Sequence, residues 1–162
     1  MAPSEPSRTI RVEQVRDGGE LASALAIREV VFIEEQHVPP SLEHDADDAL
    51  AFHVLAYDGK HAVGTGRLVP LAQPPAGEAG AWGRVGRMAV LAAHRRCKVG
   101  TQILGALEAE ARRRGFAGIV LHAQLHAREF YRMAGYAASG PIFEEAGMPH
   151  VEMLKRLRVA PS

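Results

Sequence analysis

The stretch from residue 84 to residue 115 constrains this chain more than any other. Residues 84–91 form a largely apolar run of the kind that enters the middle of a sheet. A basic turn follows, His94-Arg95-Arg96-Cys97-Lys98-Val99-Gly100-Thr101, and then a helix begins abruptly. Val99, Ile103, Ala106, Leu107 and Ala111 fall on one face of that helix, three arginines occupy its last turn, and Gly115 ends it. A strand that delivers the chain into a helix through such a turn leaves unsatisfied backbone N–H groups at the helix start, which is an anion site. Gly100 lets a phosphate reach the backbone without a side chain in the way, and Arg95 and Arg96 bring complementary charge. The combination suits a pyrophosphate. Basic residues near helix starts are also common surface features, so the segment alone does not name a ligand.

The surrounding chain supplies the rest of a sheet. Residues 9–15 alternate like a half-buried strand, and the spacing of Leu21, Leu25, Ile27, Val31 and Phe32 predicts an amphipathic helix over 20–35. Pro39 and Pro40 interrupt regular structure, and the acidic stretch to Asp48 is expected to be a loop or short helix. Residues 51–57 and 61–71 predict two antiparallel strands joined by Asp58-Gly59-Lys60. Residues 119–123 and 150–157 predict further strands, with a short helix over 127–133 closed by Gly135. The 162 residues therefore form one α+β domain, expected over 9–158, behind a flexible tail of residues 1–8.

Charge and composition narrow the function. The formal net charge is zero, which argues against a general nucleic-acid binder. Its distribution is uneven. Glu29, Glu34, Glu35, Glu43, Asp45, Asp47, Asp48 and Asp58 lie in a segment with no Lys or Arg, formal charge −8, so the remainder carries +8. Cys97 is the single cysteine, so neither an intrachain disulfide nor a Cys-rich zinc site can form. No apolar run approaches the roughly 20 residues of a membrane span, and the polar start has no signal-peptide core; the expected address is the cytoplasm, with no membrane partner. His122 and His126 are spaced i, i+4, but a strand-to-loop break between them removes the helical face a zinc pair needs, so no metal is expected. Gly64-Thr65-Gly66 raises a nucleotide-binding alternative, although neither the full dinucleotide fingerprint nor a P-loop is present.

Val85-Gly86-Arg87-Met88-Ala89-Val90 followed by Arg95-Arg96-Cys97-Lys98-Val99-Gly100 resembles the Arg/Gln-x-x-Gly-x-Gly/Ala motif of the GNAT N-acetyltransferases. Phe130-Tyr131-Arg132-Met133-Ala134-Gly135-Tyr136 is similar to the Phe-Tyr-x-x-x-Gly-Phe/Tyr pattern of the same superfamily. Val31-Phe32-Ile33-Glu34-Glu35-Gln36, Leu42-Glu43, His122-Ala123-Gln124 and Gly147-Met148-Pro149-His150 resemble the subgroup typified by the bacterial YjcF and ElaA proteins. The resemblance implies a GNAT fold, a mixed central β-sheet with helices on both faces, and transfer of acetyl from acetyl-CoA to the amine of a small molecule or peptide. It also implies a homodimer by family habit. Where the motif has its first Gly this chain has Lys98, strained if φ is positive there and tolerated if it is helical.

By the same resemblance, the strand at Met88, Ala89 and Val90 splays from its neighbour and holds the pantetheine arm through backbone groups. The loop Arg95, Arg96, Cys97, Lys98, Val99, Gly100, Thr101 takes the pyrophosphate, and Gln124, Phe130 and Tyr131 complete the coenzyme site. Tyr131 is the expected general acid, since a phenol near pKa 10 keeps its proton at pH 7 and can give it to a thiolate. For the base, Glu35, Glu43, Asp45, His53 and His150 are all eligible by chemistry, as is a water chain. The −8 segment adds the expectation that the acceptor is cationic and met by Glu35, Glu43 or Asp45. A domain that binds acyl-CoA without turnover, as a sensor or scaffold, is the alternative.

Overall fold

Among the described residues an eight-stranded sheet organises the chain. The computed structural model describes residues 9–157; the expected tail over 1–8, and residue 158, lie outside the described residues. The strands are β1 (Ile10–Gln14), β2 (Phe52–Asp58), β3 (His61–Pro70), β4 (Trp82–Val90), β5 (Gly118–Gln124), β6 (Ala137–Ala138), β7 (Phe143–Glu145) and β8 (Met148–Arg156). They run in the order β1-β2-β3-β4-β5-β8-β6, with β7 also paired to β8, and among the described residues only β4 and β5 pair in parallel. The Asp58-Gly59-Lys60 turn joins β2 and β3 as an antiparallel hairpin, with Gly59 at φ +60. The short strands β6 and β7 were not expected from the sequence, because two or three residues are too few to show alternation.

The helices are α1 (Gly18–Arg28), α2 (Pro40–Glu43), α3 (Val99–Arg113) and α4 (Arg128–Met133). Asp17 caps α1 by accepting from the Glu20 N–H. The single helix expected over 20–35 is in fact two pieces: α1 ends at Arg28 and the chain continues as a π-helical turn over Glu29–Glu35. Val30, Val31 and Ile33 are β-branched and crowd a tight helix, and the wider turn relieves them. Pro40 begins α2 instead of ending structure, since the first helical position needs no N–H.

Each face of the sheet has its own core. Val99, Ile103, Leu104, Leu107 and Ala111 of α3 pack on one face with Leu68, Leu121 and Met153, while Ala24, Ile27 and Val31 cover Leu55 and Ala89 on the other. This is the expected layered α+β arrangement. Gly64 and Gly66 make the α3 contact close. A Cβ on Gly66 would stand 2.7 Å from Ile103 Cγ2, and one on Gly64 2.8 Å from Ile103 Cδ1. These glycines accommodate a helix against the sheet, which removes the observation that raised a nucleotide site.

Candidate active site between the splayed strands

The parallel pairing of β4 with β5 covers only Trp82↔Gly118, Gly83↔Ile119 and Arg84↔Val120. Beyond Arg84 the strands diverge. A bulge explains the divergence: β3 pairs Thr65 with Ala89 and Arg67 with Gly86, so Arg87 and Met88 together face one residue, and Arg87 takes φ +51. The Leu91 N–H donates to Val63 O, and ladder alternation then turns Ala89 toward β3 and the backbone groups of Met88 and Val90 toward the open side. The divergence opens a cleft of about 650 Å³ lined by β4, β5, the π-helical turn and the β7–β8 hairpin.

The N-terminus of α3 lies beyond the end of β4, and no side chain among the described residues caps it. Val99 is buried in the core and Gly100 rests 3.4 Å, measured from a built Cβ, from the Phe130 ring, so these residues offer only backbone to a ligand. Arg96, Cys97, Lys98 and Thr101 are exposed around it. Lys98 adopts φ +63, so the strained alternative is the one found, at a cost of about 1 kcal/mol relative to glycine. Arg95 donates to Val90 O at 2.9 Å and to Glu35 at 2.6 Å. Glu35, which is not among the cleft-lining residues, is thereby paired with Arg95.

Tyr131 lines the cleft from α4, and its hydroxyl donates to Met88 Sδ at 3.6 Å across the splay. A thioether is a weak acceptor. Burial pushes the phenol up to about 12, so it holds its proton throughout the neutral range. Gln124 exchanges a reciprocal amide pair with Gln36 of the π-helical turn, at 3.3 and 2.9 Å, bridging two walls of the cleft.

The acidic segment is not a free anionic surface. Arg28, 1% exposed, donates to Glu43, to the Glu43 carbonyl and to both Asp48 oxygens. Arg67 binds Asp45 and Asp48, and Arg87 binds Asp45 and the carbonyls of Leu42 and Glu43. Hydrogen bonds from Arg67 hold the Asp45 carboxyl below its usual range, and those from Arg28 and Arg67 bring Asp48, against the cost of burial, to about 2. Three carboxylates thus meet three guanidiniums. Glu43 is enclosed and Asp45 is a weakened base, which corrects the expectation of a cation-attracting cluster. His53 is buried, donates Nε2–H to the Asp48 carbonyl, and is not among the cleft residues.

His150 does line the cleft. Its Nδ1 lies 2.8 Å from Met148 O, and since a carbonyl only accepts, that nitrogen carries the proton and Nε2 keeps its lone pair. Beside it stand three residues not singled out from sequence as site residues: Arg84, whose Nη2 is 2.8 Å from His122 Nδ1, together with His122 and Glu145. The His122-Ala123-Gln124 and Gly147-to-His150 motifs pointed to this wall; strand alternation over 122–124 was the available signal. Among the described residues, no group of three or more His, Cys, Asp or Glu side chains is arranged to hold a metal, and no helix is long and apolar enough to cross a membrane.

Comparison with known proteins agrees with this geometry. Residues 13–157 match the family model described as an acetyltransferase (GNAT) domain. The chain is 37% identical to the N-acetyltransferase YjcF of Bacillus subtilis, itself named as uncharacterised, over 84% of this chain and 92% of that one. Among solved structures it resembles a putative N-acetyltransferase from Lactobacillus plantarum (TM-score 0.79, 30% identity, 92% of this chain and 99% of that one). It also resembles Escherichia coli ElaA (TM-score 0.75, 26% identity, 91% and 100%). With a strand bulge that opens the sheet beside an uncapped helix start, and a match spanning nearly all described residues, the chain belongs to the GNAT acetyltransferase family.

Proposed function

We propose that this enzyme transfers the acetyl group of acetyl-CoA to a primary amine, with both substrates bound in the β4–β5 cleft. The observation that carries the reading is the divergence of β4 from β5 after Arg84, which frees the backbone of Met88 and the Val90 N–H beside the uncapped start of α3. The α3 amides, with Arg95 and Arg96, hold the pyrophosphate, and the β4 edge takes the pantetheine amides in place of the missing strand contacts. Acetyl-CoA supplies the activated thioester. The Val90 N–H polarises its carbonyl oxygen.

Of the candidate bases, His150 combines a place on the cleft wall with an unused Nε2 lone pair. An acceptor ammonium first loses one proton to solvent. As the C–N bond forms, His150 takes a second proton from nitrogen; as the C–S bond breaks, Tyr131 gives its proton to sulfur. Solvent returns the imidazolium proton to the phenolate.

The test has two parts. Acetyl-CoA at a hundredfold its Kd should stabilise the protein by about 2.7 kcal/mol, and Gly100→Val should remove the effect. A panel of amines should then yield free thiol. An unchanged melting temperature with saturating acetyl-CoA refutes the donor site; binding without thiol release from any amine leaves an acyl-CoA sensor.

A further inference from the structure

The charged side chains of the cleft fall into two sets. Arg87 and Arg95 each make two or more hydrogen bonds within the fold, and Glu43 is enclosed with its Oε1 paired to Arg28. Arg84 and Glu145 are held more loosely, Glu145 by a long 3.4 Å contact to His122 Nδ1 and by 3.7 Å approaches of Arg84 and His150. Arg84 makes one hydrogen bond, to the His122 imidazole, and lies 3.7 Å from Glu145, beyond hydrogen-bond distance. The two side chains are 37% and 43% exposed, so both present unused donors or acceptors to the cleft.

The imidazole does not neutralise Arg84. His122 Nδ1 faces the Arg84 donor at 2.8 Å and Glu145 Oε1 at 3.4 Å; a guanidinium has no acceptor, so the shorter contact makes Nδ1 the acceptor and puts the ring proton on Nε2. Burial and the Arg84 charge push the His122 pKa down, which keeps the ring neutral. Four of the five guanidinium N–H donors remain for a ligand, in a fork that matches a carboxylate. Glu145 Oε2 lies 3.7 Å from His150 Nε2, so the carboxylate that can seat an ammonium adjoins the lone pair that can deprotonate it.

One wall therefore offers a cation and an anion side by side, and the complement is a molecule carrying ammonium and carboxylate on neighbouring atoms. We propose that the acceptor is a free α-amino acid, its carboxylate forked on Arg84 and its amine seated between Glu145 and His150. This rests on the transferase reading above and replaces the purely cationic acceptor, whose carboxylates are occupied by Arg28, Arg67, Arg87 and Arg95. A peptide N-terminus would bring the amine without the adjacent carboxylate and leave Arg84 unmatched.

The experiment compares kcat/KM for free amino acids, for the corresponding amino-acid amides, and for the amines that lack the carboxyl group. The amino acids should be favoured by about 10- to 100-fold, the range for one charge-assisted contact. Arg84→Gln should collapse that preference by raising KM for the amino acids alone, and Glu145→Gln should raise KM for all three classes. Both variants should keep the wild-type melting shift with acetyl-CoA, which establishes that they are folded. Equal use of amides or of plain amines overturns the proposal and leaves the transferase reading standing; an acetyl-CoA shift with no turnover of any amine overturns both.

Discussion

Replacing Arg28 with Met removes a charge from a site that is 1% exposed while keeping the length of the side chain. The loss strands two carboxylates. Glu43, also 1% exposed, keeps only His44 Nε2 at 3.4 Å and Arg87 Nε at 3.7 Å, and Asp48 keeps only Arg67 at 2.7 Å. Leaving a buried charge without its partner costs about 3–5 kcal/mol, and the residual Arg87 and Arg67 contacts place this case near about 3. For a domain of this size each kcal/mol moves Tm by about 2–4 °C, so Arg28→Met should melt about 6–12 °C below wild type. Urea unfolding at pH 7 gives the free energy directly. Replacing Glu43 with Leu in the same chain should restore part of it, because the pair is removed together. The same network makes Glu43→Gln a stability variant with nearly normal kcat at a temperature where it is folded. An Arg28→Met protein within 1 kcal/mol of wild type, or a Glu43→Gln protein of full stability with kcat down a hundredfold, would refute the reasoning and return Glu43 to the active site.

Tyr131→Phe should keep the acetyl-CoA melting shift and lower kcat by about 10²–10⁴; a kcat within a few fold of wild type would mean that water protonates the leaving sulfur. Gly66→Ala should cost about 1–3 kcal/mol in urea unfolding, because its Cβ would stand 2.7 Å from Ile103 Cγ2 and 3.0 Å from Leu107 Cδ1 and must push α3 off the sheet. Asp48 titrates near 2 against an ordinary 3.8, so its stabilisation is present above pH 4 and lost as pH falls through about 2. Asp48→Asn should accordingly be less stable than wild type at pH 7, by about 1–2 kcal/mol once solvent screening is allowed for, with the gap closing below pH 2. A gap that persists in acid would trace to packing instead of charge.

The helical face of Val99, Ile103, Leu107 and Ala111, the Asp58-Gly59 hairpin and the Gly115 stop were legible because each is a local property: a period, a turn conformation, a residue free to take positive φ. The basic turn before α3 was legible for the same reason, as was the family resemblance of the motifs around it. The π-helical turn over Glu29–Glu35 was not, since apolar spacing does not separate a widened turn from a regular one. Charge was misleading in sum and informative only in pairs. Residues 29–59 read as an uncompensated −8, yet Arg28 reaches Glu43 across 15 residues, Arg67 reaches Asp45 across 22 and Arg95 reaches Glu35 across 60. Arg84, His122, Glu145 and His150 come from four strands, and nothing in their separate neighbourhoods marks them as one wall. Sequence by itself determined most of the elements and the fold family, because those depend on interactions within a few residues. The tertiary structure alone decided which charges are cancelled and which face the cleft, because a charge is neutralised by whatever the sheet register and the bulge at Arg87 bring within about 4 Å, however far away in the chain.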